Sequence, residues 1–409
     1  MDNAIHYALP DSWVKYSKEA IFDDLTGAKA AVIALQTIPF QRRWVEELQK
    51  VQLKMEIAGT TQIEGADFSG NELEAAIRAE TAEESFTRSQ KQATAVTKAY
   101  KFIATIPLDQ PVDVGLMRAI HAMIVTDCDA DRCQPGGLRG PDKNVTFGRP
   151  RHRGAAGGEE CKTAFEALAH QLQTTFRGHD PLIQALALHY HFAAIHAFED
   201  GNGRTARALE ALMLQRSGLK DSLFIAMSNY YHDEKNKYLE TLAAVRAANH
   251  DLTLFLKFGL RGIAQQSGRL SNAIREEVLK QIFRNLMRDL FVRLENTRKR
   301  VIVKRQLSLL EKLLNADSRI ELFQLAAQVK DLYTSRKDPL MALIRDLNRL
   351  YALGAIGITR EEKEDKSSTI FHISVQLDWP SKITETEFFS KLAQLPKSKT
   401  YGFLSAEEL

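Results

Sequence analysis

The stretch His196 to Arg207, HAFEDGNGRTAR, sets a histidine, two acids, two glycines and two arginines within twelve positions. Gly201 and Gly203 permit backbone conformations and close approaches that a Cβ would block. Successive N–H groups in such a turn, feeding a helix N-terminus, make an anion-binding nest. Arg204 and Arg207 stand three apart and share one face of the first turn of the helix that follows. Two cations there oppose the helix dipole, and a bound polyanion removes the conflict. Asp200 supplies a hard oxygen of the kind Mg2+ takes when carried with phosphates. His196, at the rim, is placed to accept the proton of an attacking hydroxyl. Together these residues spell an oligophosphate cradle with a general base beside it.

Such a cradle needs rigid elements on both sides. Before it, PLIQALALHYHFAAI (Pro181 to Ile195) is a nearly all-apolar helix, expected to be buried on most sides. His189 and His191 within it are read as packing residues. After the glycines a new helix runs from Arg204 to Arg216. Helices are also expected at Asp113 to Ile124, Glu159 to Thr175 and Lys235 to Ala248, with a long charged one from Ser271 to Leu314. Two more come earlier. QRRWVEELQKVQLKMEIAGTT runs towards a capping Gly65, and SGNELEAAIRAETAEESF starts at Ser69 or Asn71. Only KNVTF and SLFIAM suggest strand in this part of the chain.

The remaining composition narrows the class. The chain has 409 residues, 44% hydrophobic and 26% charged, which fits a globular protein of two or three domains. A net charge of +3 sets up no global field for nucleic acid. The three cysteines are too few for a disulfide framework, and Cys128 and Cys133 lack the other half of a zinc site. No signal peptide or membrane-length apolar run is read, so a cytoplasmic location and no membrane partner are expected. There is no GxxxxGK(S/T) loop, so nucleotide is not held as in a P-loop protein.

After about residue 300 the character changes. RIELFQLAAQVKDLY reads as a short helix. DPLMALIRDLNRLYALG reads as a second, with Asp338 as N-cap, Pro339 in the first turn and Gly354 as the stop. AIGITR and TIFHISV then alternate as two strands about the turn EEKEDKSS. Helix, turn, helix and hairpin is the outline of a winged helix. Leu340, Leu343, Leu347 and Leu350 mark the buried face of the second helix and leave Arg345 and Arg349 outward. The basic run Arg298 to Arg305 and these two arginines favour DNA, whereas the net-acidic turn opposes it. The bland expectation, protein docking or packing, is preferred.

The motif carries a resemblance. His196-Ala-Phe-Glu-Asp-Gly-Asn-Gly-Arg-Thr-Ala-Arg207 is similar to the Fic-family signature His-x-Phe-x-(Asp/Glu)-Gly-Asn-Gly-Arg-x-x-Arg. It differs from the commonest version in having Ala197 where proline usually follows the histidine. The resemblance implies a mainly α fold: a Fic helical core with a short β-hairpin flap, joined to the winged-helix (α+β) domain. The expected division is an N-terminal helical region at 1–90, the core at 91–265, a linker helix at 266–304, the winged-helix-like domain at 305–380 and a tail at 381–409.

The resemblance also implies transfer of AMP from ATP, with Mg2+, to a Tyr, Thr or Ser hydroxyl of a target protein. His196 would be the general base and Asp200 the Mg2+ ligand. Gly201, Asn202, Gly203 and Arg204 would hold phosphates, with Arg207 on the γ-phosphate and Phe198 a core anchor. Lys143, Asn144, Val145, Thr146, Phe147 and Gly148 resemble the flap that aligns the target by backbone pairing. The following RHRGAAGGEE departs from the apolar, proline-rich continuation common in the family. Other readings stay open: transfer of another phosphate-linked group, removal of AMP, or a DNA-binding regulator with an inactive core. A homodimer is a further possible assembly.

A second short stretch is TTQIEG, Thr60 to Gly65. Glu64 sits in the last turn of its helix, where the dipole disfavours a carboxylate, so a cation such as Arg207 is expected to compensate it. Thr60, Glu64 and Gly65 resemble the inhibitory motif (Ser/Thr)-x-x-x-Glu-(Gly/Asn) of Fic proteins with an N-terminal inhibitory helix. By that resemblance the glutamate pairs with the second motif arginine and keeps ATP from binding productively.

Overall fold

The computed structural model describes residues 4–38, 42–79, 87–148, 150–218, 225–295, 300–316, 319–362 and 369–394. Helix accounts for 67% and the sheets are small, so the mainly α expectation holds. The chain forms two compact units, Met1–Ile274 and Arg275–Leu409.

The first unit begins with strand β1 (Ile5–His6) and helices α1 (Lys18–Thr37), α2 (Arg42–Ile63), α3 (Gly70–Arg78), α4 (Arg88–Ile103) and α5 (Val114–Val125). Strands β2 (Thr146–Phe147) and β3 (His152–Arg153) follow, then α6 (Glu159–Gln173), α7 (Pro181–Ile195), α8 (Asn202–Arg216), α9 (Met227–Asp233) and α10 (Lys235–Ala247). The start of α11 (Thr253–Glu295) completes it.

α7 is the hub. Asp180 caps it by accepting from the Leu182 N–H, Pro181 sits in its first turn, and every residue from Ala185 to Ile195 is buried. α8 packs along it and is nearly as buried, with Leu209, Leu212 and Leu214 in the core.

α2 is fixed against α9 by close backbone approach. A Cβ at Gly59 would lie 2.5 Å from the Ser228 carbonyl carbon and oxygen. One turn earlier, buried Glu56 accepts from the Tyr100 hydroxyl at 2.6 Å and from the Ser228 N–H at 2.8 Å. α2 ends at Ile63, and Gly65 takes the positive φ (91°) expected of the stop. α3 starts from a capping box of Ser69 and Glu72 but ends at Arg78, sooner than SGNELEAAIRAETAEESF suggested; residues 80–86 lie outside the described residues. The strand suggested by SLFIAM is not found at Ile225–Met227, where Met227 starts α9; residues 222–224 lie outside the described residues.

The second unit contains the rest of α11, then α12 (Arg300–Leu314), β4 (Ile320–Glu321), α13 (Leu322–Gln328), α14 (Lys330–Tyr333), α15 (Pro339–Leu353), β5 (Ile356–Glu362), β6 (Thr369–Val375), α16 (Trp379–Lys382) and α17 (Glu385–Gln394). The sheet order is β4-β6-β5, antiparallel throughout, with Ile358 and Ile320 both opposite Ile373. Arg319 to Tyr333 is therefore not one helix. Its first residues pair with β6, a partner 53 residues away in register (Ile320↔Ile373), which local periodicity cannot reveal.

α15 behaves as its caps dictate. Asp338 accepts from the Met341 N–H, and Gly354 closes it in the left-handed region. Leu343, Leu347 and Leu350 are buried and Arg345 is exposed. The buried face also holds Asp346, which binds Arg305 Nε at 2.5 Å and accepts from the Tyr333 hydroxyl at 3.1 Å. Arg305 is thus a structural partner of α15, which corrects its place in a nucleic-acid-facing basic run. Arg298 and Lys299 of that run, and residues 363–368 of the EEKEDKSS turn, lie outside the described residues.

Candidate active site

α7 ends on His196, whose backbone is left-handed (φ 53°, ψ 53°), an uncommon conformation for a residue with a Cβ. The imidazole Nδ1 lies 3.1 Å from the Ala193 carbonyl oxygen. A carbonyl only accepts, so Nδ1 carries the proton and Nε2 keeps its lone pair, the tautomer a general base requires. Burial pushes the imidazole pKa down to about 4, against the Ala193 carbonyl, which raises it. The ring stacks on Phe147 with centroids 4.0 Å apart.

The loop 197–201 is closed by its own side chains. Phe198 is fully buried between Phe165, Phe192 and the stacked ring of His121. Asn202 Oδ1 accepts from the Phe198 N–H at 3.0 Å, and its Nδ2 donates to the Phe198 carbonyl at 2.8 Å. The Asn202 side chain therefore shapes the loop, with its amide taken up by the Phe198 backbone. Gly201 (φ 78°) is forced twice over: a Cβ there would lie 2.7 Å from Val125 Cγ1. α8 starts from this glycine with no side-chain cap, which leaves its first N–H groups for an anion.

The two motif arginines part company. Arg204 is buried and salt-bridged to Asp129 at 2.7 Å, with Asp200 at 3.4 Å. Asp129 also accepts from Arg88 Nε (2.8 Å) and Gln92 Nε2 (3.1 Å). Burial would raise the Asp129 carboxyl, but Arg204 and its other donors outweigh that and hold it down at about 2. Asp200 is about a third exposed, and its Oδ1 takes the Gly201 N–H at 2.6 Å. No group of three or more His, Cys, Asp or Glu that could hold a metal occurs among the described residues. One accessible carboxylate beside a phosphate nest is nevertheless the donor set Mg2+ uses with nucleotides, phosphate oxygens and water completing its shell. The site fits that ion.

Arg207 turns to α2. Its Nε donates to Thr60 Oγ1 at 2.7 Å, and Nη2 donates to the Thr60 carbonyl at 3.0 Å and to Glu64 Oε1 at 2.6 Å. Partial desolvation at the cavity would raise the half-open Glu64 carboxyl, but the Arg207 charge and hydrogen bond outweigh it and keep it low. Glu64 Oε1 also packs directly on Gly203, where a Cβ would collide with it. The carboxylate thus lies over the first turn of α8. Gly65 lies just beyond, at the end of α2.

The segment Lys143 to Gly148 forms the first arm of a hairpin. β2 pairs antiparallel with β3 (Phe147↔His152), and Gly148 turns with φ 75°; Arg149 lies outside the described residues. β3 also pairs in parallel with β1, which makes β2 an edge strand. Lys143 reaches Glu199 at 3.3 Å, Asn144 Oδ1 accepts from the Gly157 N–H at 3.1 Å, and the Val145 carbonyl accepts from the Gly154 N–H at 3.2 Å. Buried Arg139 ties the hairpin to the loop, donating to the carbonyls of His196 and Lys143, both at 2.7 Å.

A cavity of about 180 Å³ opens between Glu64, Phe147, His152, His196, Arg207 and α10. A larger one of about 410 Å³ near Leu108 and Arg216 touches none of the motif residues from His196 to Arg207. Reading the sequence missed Asp129, His121, Arg139 and Arg246. All four are distant in sequence from the motif and lie in unremarkable local contexts.

Residues 111–214 match the Fic/DOC family model. This segment is a Fic/DOC-family domain. Solved structures agree on the fold. A Fic family protein from Desulfovibrio desulfuricans G20 superposes with TM-score 0.52 at 17% identity, covering 90% of this chain and 98% of that one. Residues 134–508 of Fic-1 from C. elegans give 0.52 at 17% identity, covering 62% and 73%. A Fic domain containing signaling protein from Bacteroides thetaiotaomicron gives 0.51 at 17% identity, covering 62% and 97%. Fic domains generally transfer AMP or other phosphate-linked groups to proteins. In this one the motif runs from the end of α7 into α8, while Thr60 comes from the last turn of α2 and Glu64 from the turn just after it rather than from the helix itself, both outside the matched segment.

Proposed function

We propose that the protein is an adenylyltransferase that moves AMP from ATP to a Tyr, Thr or Ser hydroxyl of a target protein, restrained by its own α2. The observation that carries the reading is the unprotonated Nε2 of His196 beside the uncapped N-terminus of α8. The N–H groups of α8 and Arg207 hold the phosphates. The target strand pairs with the free edge of β2 and brings its hydroxyl to His196. The hydroxyl oxygen bonds to the α-phosphorus as its proton passes to Nε2, and the bond to the β-phosphate oxygen breaks, releasing pyrophosphate. Asp200 would hold Mg2+, which when bound would supply neutralisation of the charge on the phosphates.

Restraint follows from Glu64. Its carboxylate sits on Arg207 and over Gly203, where a terminal phosphate would bind. A charge-assisted arginine–carboxylate pair competes with one phosphate contact. The same carboxylate could orient a water to remove AMP, so the second activity is assayed beside the first.

Intact-mass measurement after incubating the Glu64→Gly protein with Mg-ATP tests the reading. One added AMP per modified hydroxyl is expected; a different adduct, or none with ATP bound, overturns it. The helices and antiparallel hairpin of the second unit support reading it as winged-helix-like, and we assign it a docking or packing role.

A further inference from the structure

The arginines around the active site differ in one respect. Arg204 has Asp129, Arg207 has Thr60 and Glu64, and Arg139 has carbonyl oxygens. Arg246, on α10, has a ring: its guanidinium carbon lies 4.3 Å from the centroid of Phe147. Its Nε and Nη1 are buried without a hydrogen-bond partner. His152, on β3, is only 1% exposed, and neither of its ring nitrogens has a partner. Both residues line the same 180 Å³ cavity as His196 and Arg207.

Buried donors without partners cost free energy, and a buried unpaired charge costs more. A cation–π contact offsets only part of that. Burial already pushes the Arg246 guanidinium down to about 10, the sense expected of a cation lacking a counter-charge. The same cavity is lined by apolar Ala193, Leu239, Leu242 and Ala243 and by the Tyr238 hydroxyl, a neutral group that acts on Arg246 but supplies neither Nε nor Nη1 with a hydrogen bond. The missing partner is therefore expected to arrive with a ligand, and donors of this kind call for an oxyanion.

We propose that Arg246 and His152 form a second oxyanion subsite in this cavity, separate from Arg207, filled by a phosphate of the bound nucleotide or a carboxylate of the target. The inference rests on the cavity being the substrate site of the proposed transfer. Arg246 also holds the flap through Phe147, so occupation of the subsite couples anion binding to the position of the ring stacked on His196.

Calorimetric titration of the full chain with AMP and with adenosine provides the test. Arg246→Gln should weaken AMP at least about tenfold, ~1.4 kcal/mol, and leave adenosine unchanged. Arg246→Lys, which keeps the charge, should recover most of the loss. If AMP is unaffected but the KM of a tyrosine peptide flanked by glutamates rises about tenfold over its alanine counterpart, the oxyanion comes from the target. Equal loss of AMP and adenosine, or no change in either arm, overturns the subsite. AMP binding needs no transfer, so this result is independent of whether the Glu64→Gly protein forms an AMP adduct.

Discussion

Arg207 Nη2 donates to Glu64 Oε1 across 2.6 Å, joining positions 143 apart in the chain. Arg207 is 2% exposed while Glu64 is 37% exposed, so the pair has a buried cation and a carboxylate that can leave.

That asymmetry sets the first prediction. Glu64→Gly removes the carboxylate but keeps the Thr60 contacts that orient Arg207. Auto-modification with labelled Mg-ATP should rise at least about tenfold, ~1.4 kcal/mol of restraint. Unchanged auto-modification and unchanged AMP removal in a folded variant would sink the inhibitory role.

Gly59 should matter almost as much, from a distance. Gly59→Ala puts a Cβ within 2.5 Å of the Ser228 backbone, so α2 must move off α9. Thr60 and Glu64 move with it. We expect partial release of auto-modification together with a lower Tm, measured on one preparation.

His196→Ala should abolish transfer and leave nucleotide affinity nearly intact, because it deletes the base and no phosphate contact. With its pKa held near 4, His196 is unprotonated throughout the neutral range. The transfer rate should therefore be flat from about pH 6 to 8 with respect to this group. A rate limb at the ordinary histidine pKa of about 6.5 would contradict that.

Acid should unfold the first unit early. Burial lowers His121, His152 and His196 to about 4 and His191 to about 3. Between those values and the unfolded histidine pKa of about 6.5, the unfolded chain binds more protons, so stability falls as pH drops through that window. Glu56 works the other way: burial raises it to about 7, so its contribution falls as pH rises from about 4.5. Four histidines outweigh one carboxyl, and thermal melts should show a lower Tm at pH 5 than at pH 7. Glu56→Gln should remove the opposing slope.

For the second unit we expect no measurable duplex DNA binding at moderate salt. Arg345→Ala with Arg349→Ala should change nothing in a band-shift assay. A sequence-preferring shift that these substitutions weaken would overturn the docking assignment.

Much of the site could be read locally. A nest needs consecutive residues, so Gly201, Gly203 and the start of α8 follow from the order of letters alone. The ends of α7 and α15 follow in the same way from Asp180, Pro181, Asp338 and Gly354. Glu64 was legible because a carboxylate at a helix C-terminus calls for a cation, and Thr60 and Gly65 through the resemblance to the inhibitory motif.

Other features depended on tertiary structure. Arg204 and Arg207 share a helix face by spacing, yet one meets Asp129, in the turn after α5, and the other Thr60, on α2. The bonds by which the Asn202 amide closes the loop on Phe198 are likewise visible only in the fold. β1 and β4 have two residues each, too few for any periodicity, and exist only through partners distant in the chain. Spacing along the chain reveals what one helix or turn can present. Which buried charge meets which partner, and which, like Arg246, meets none, is decided when separate elements pack.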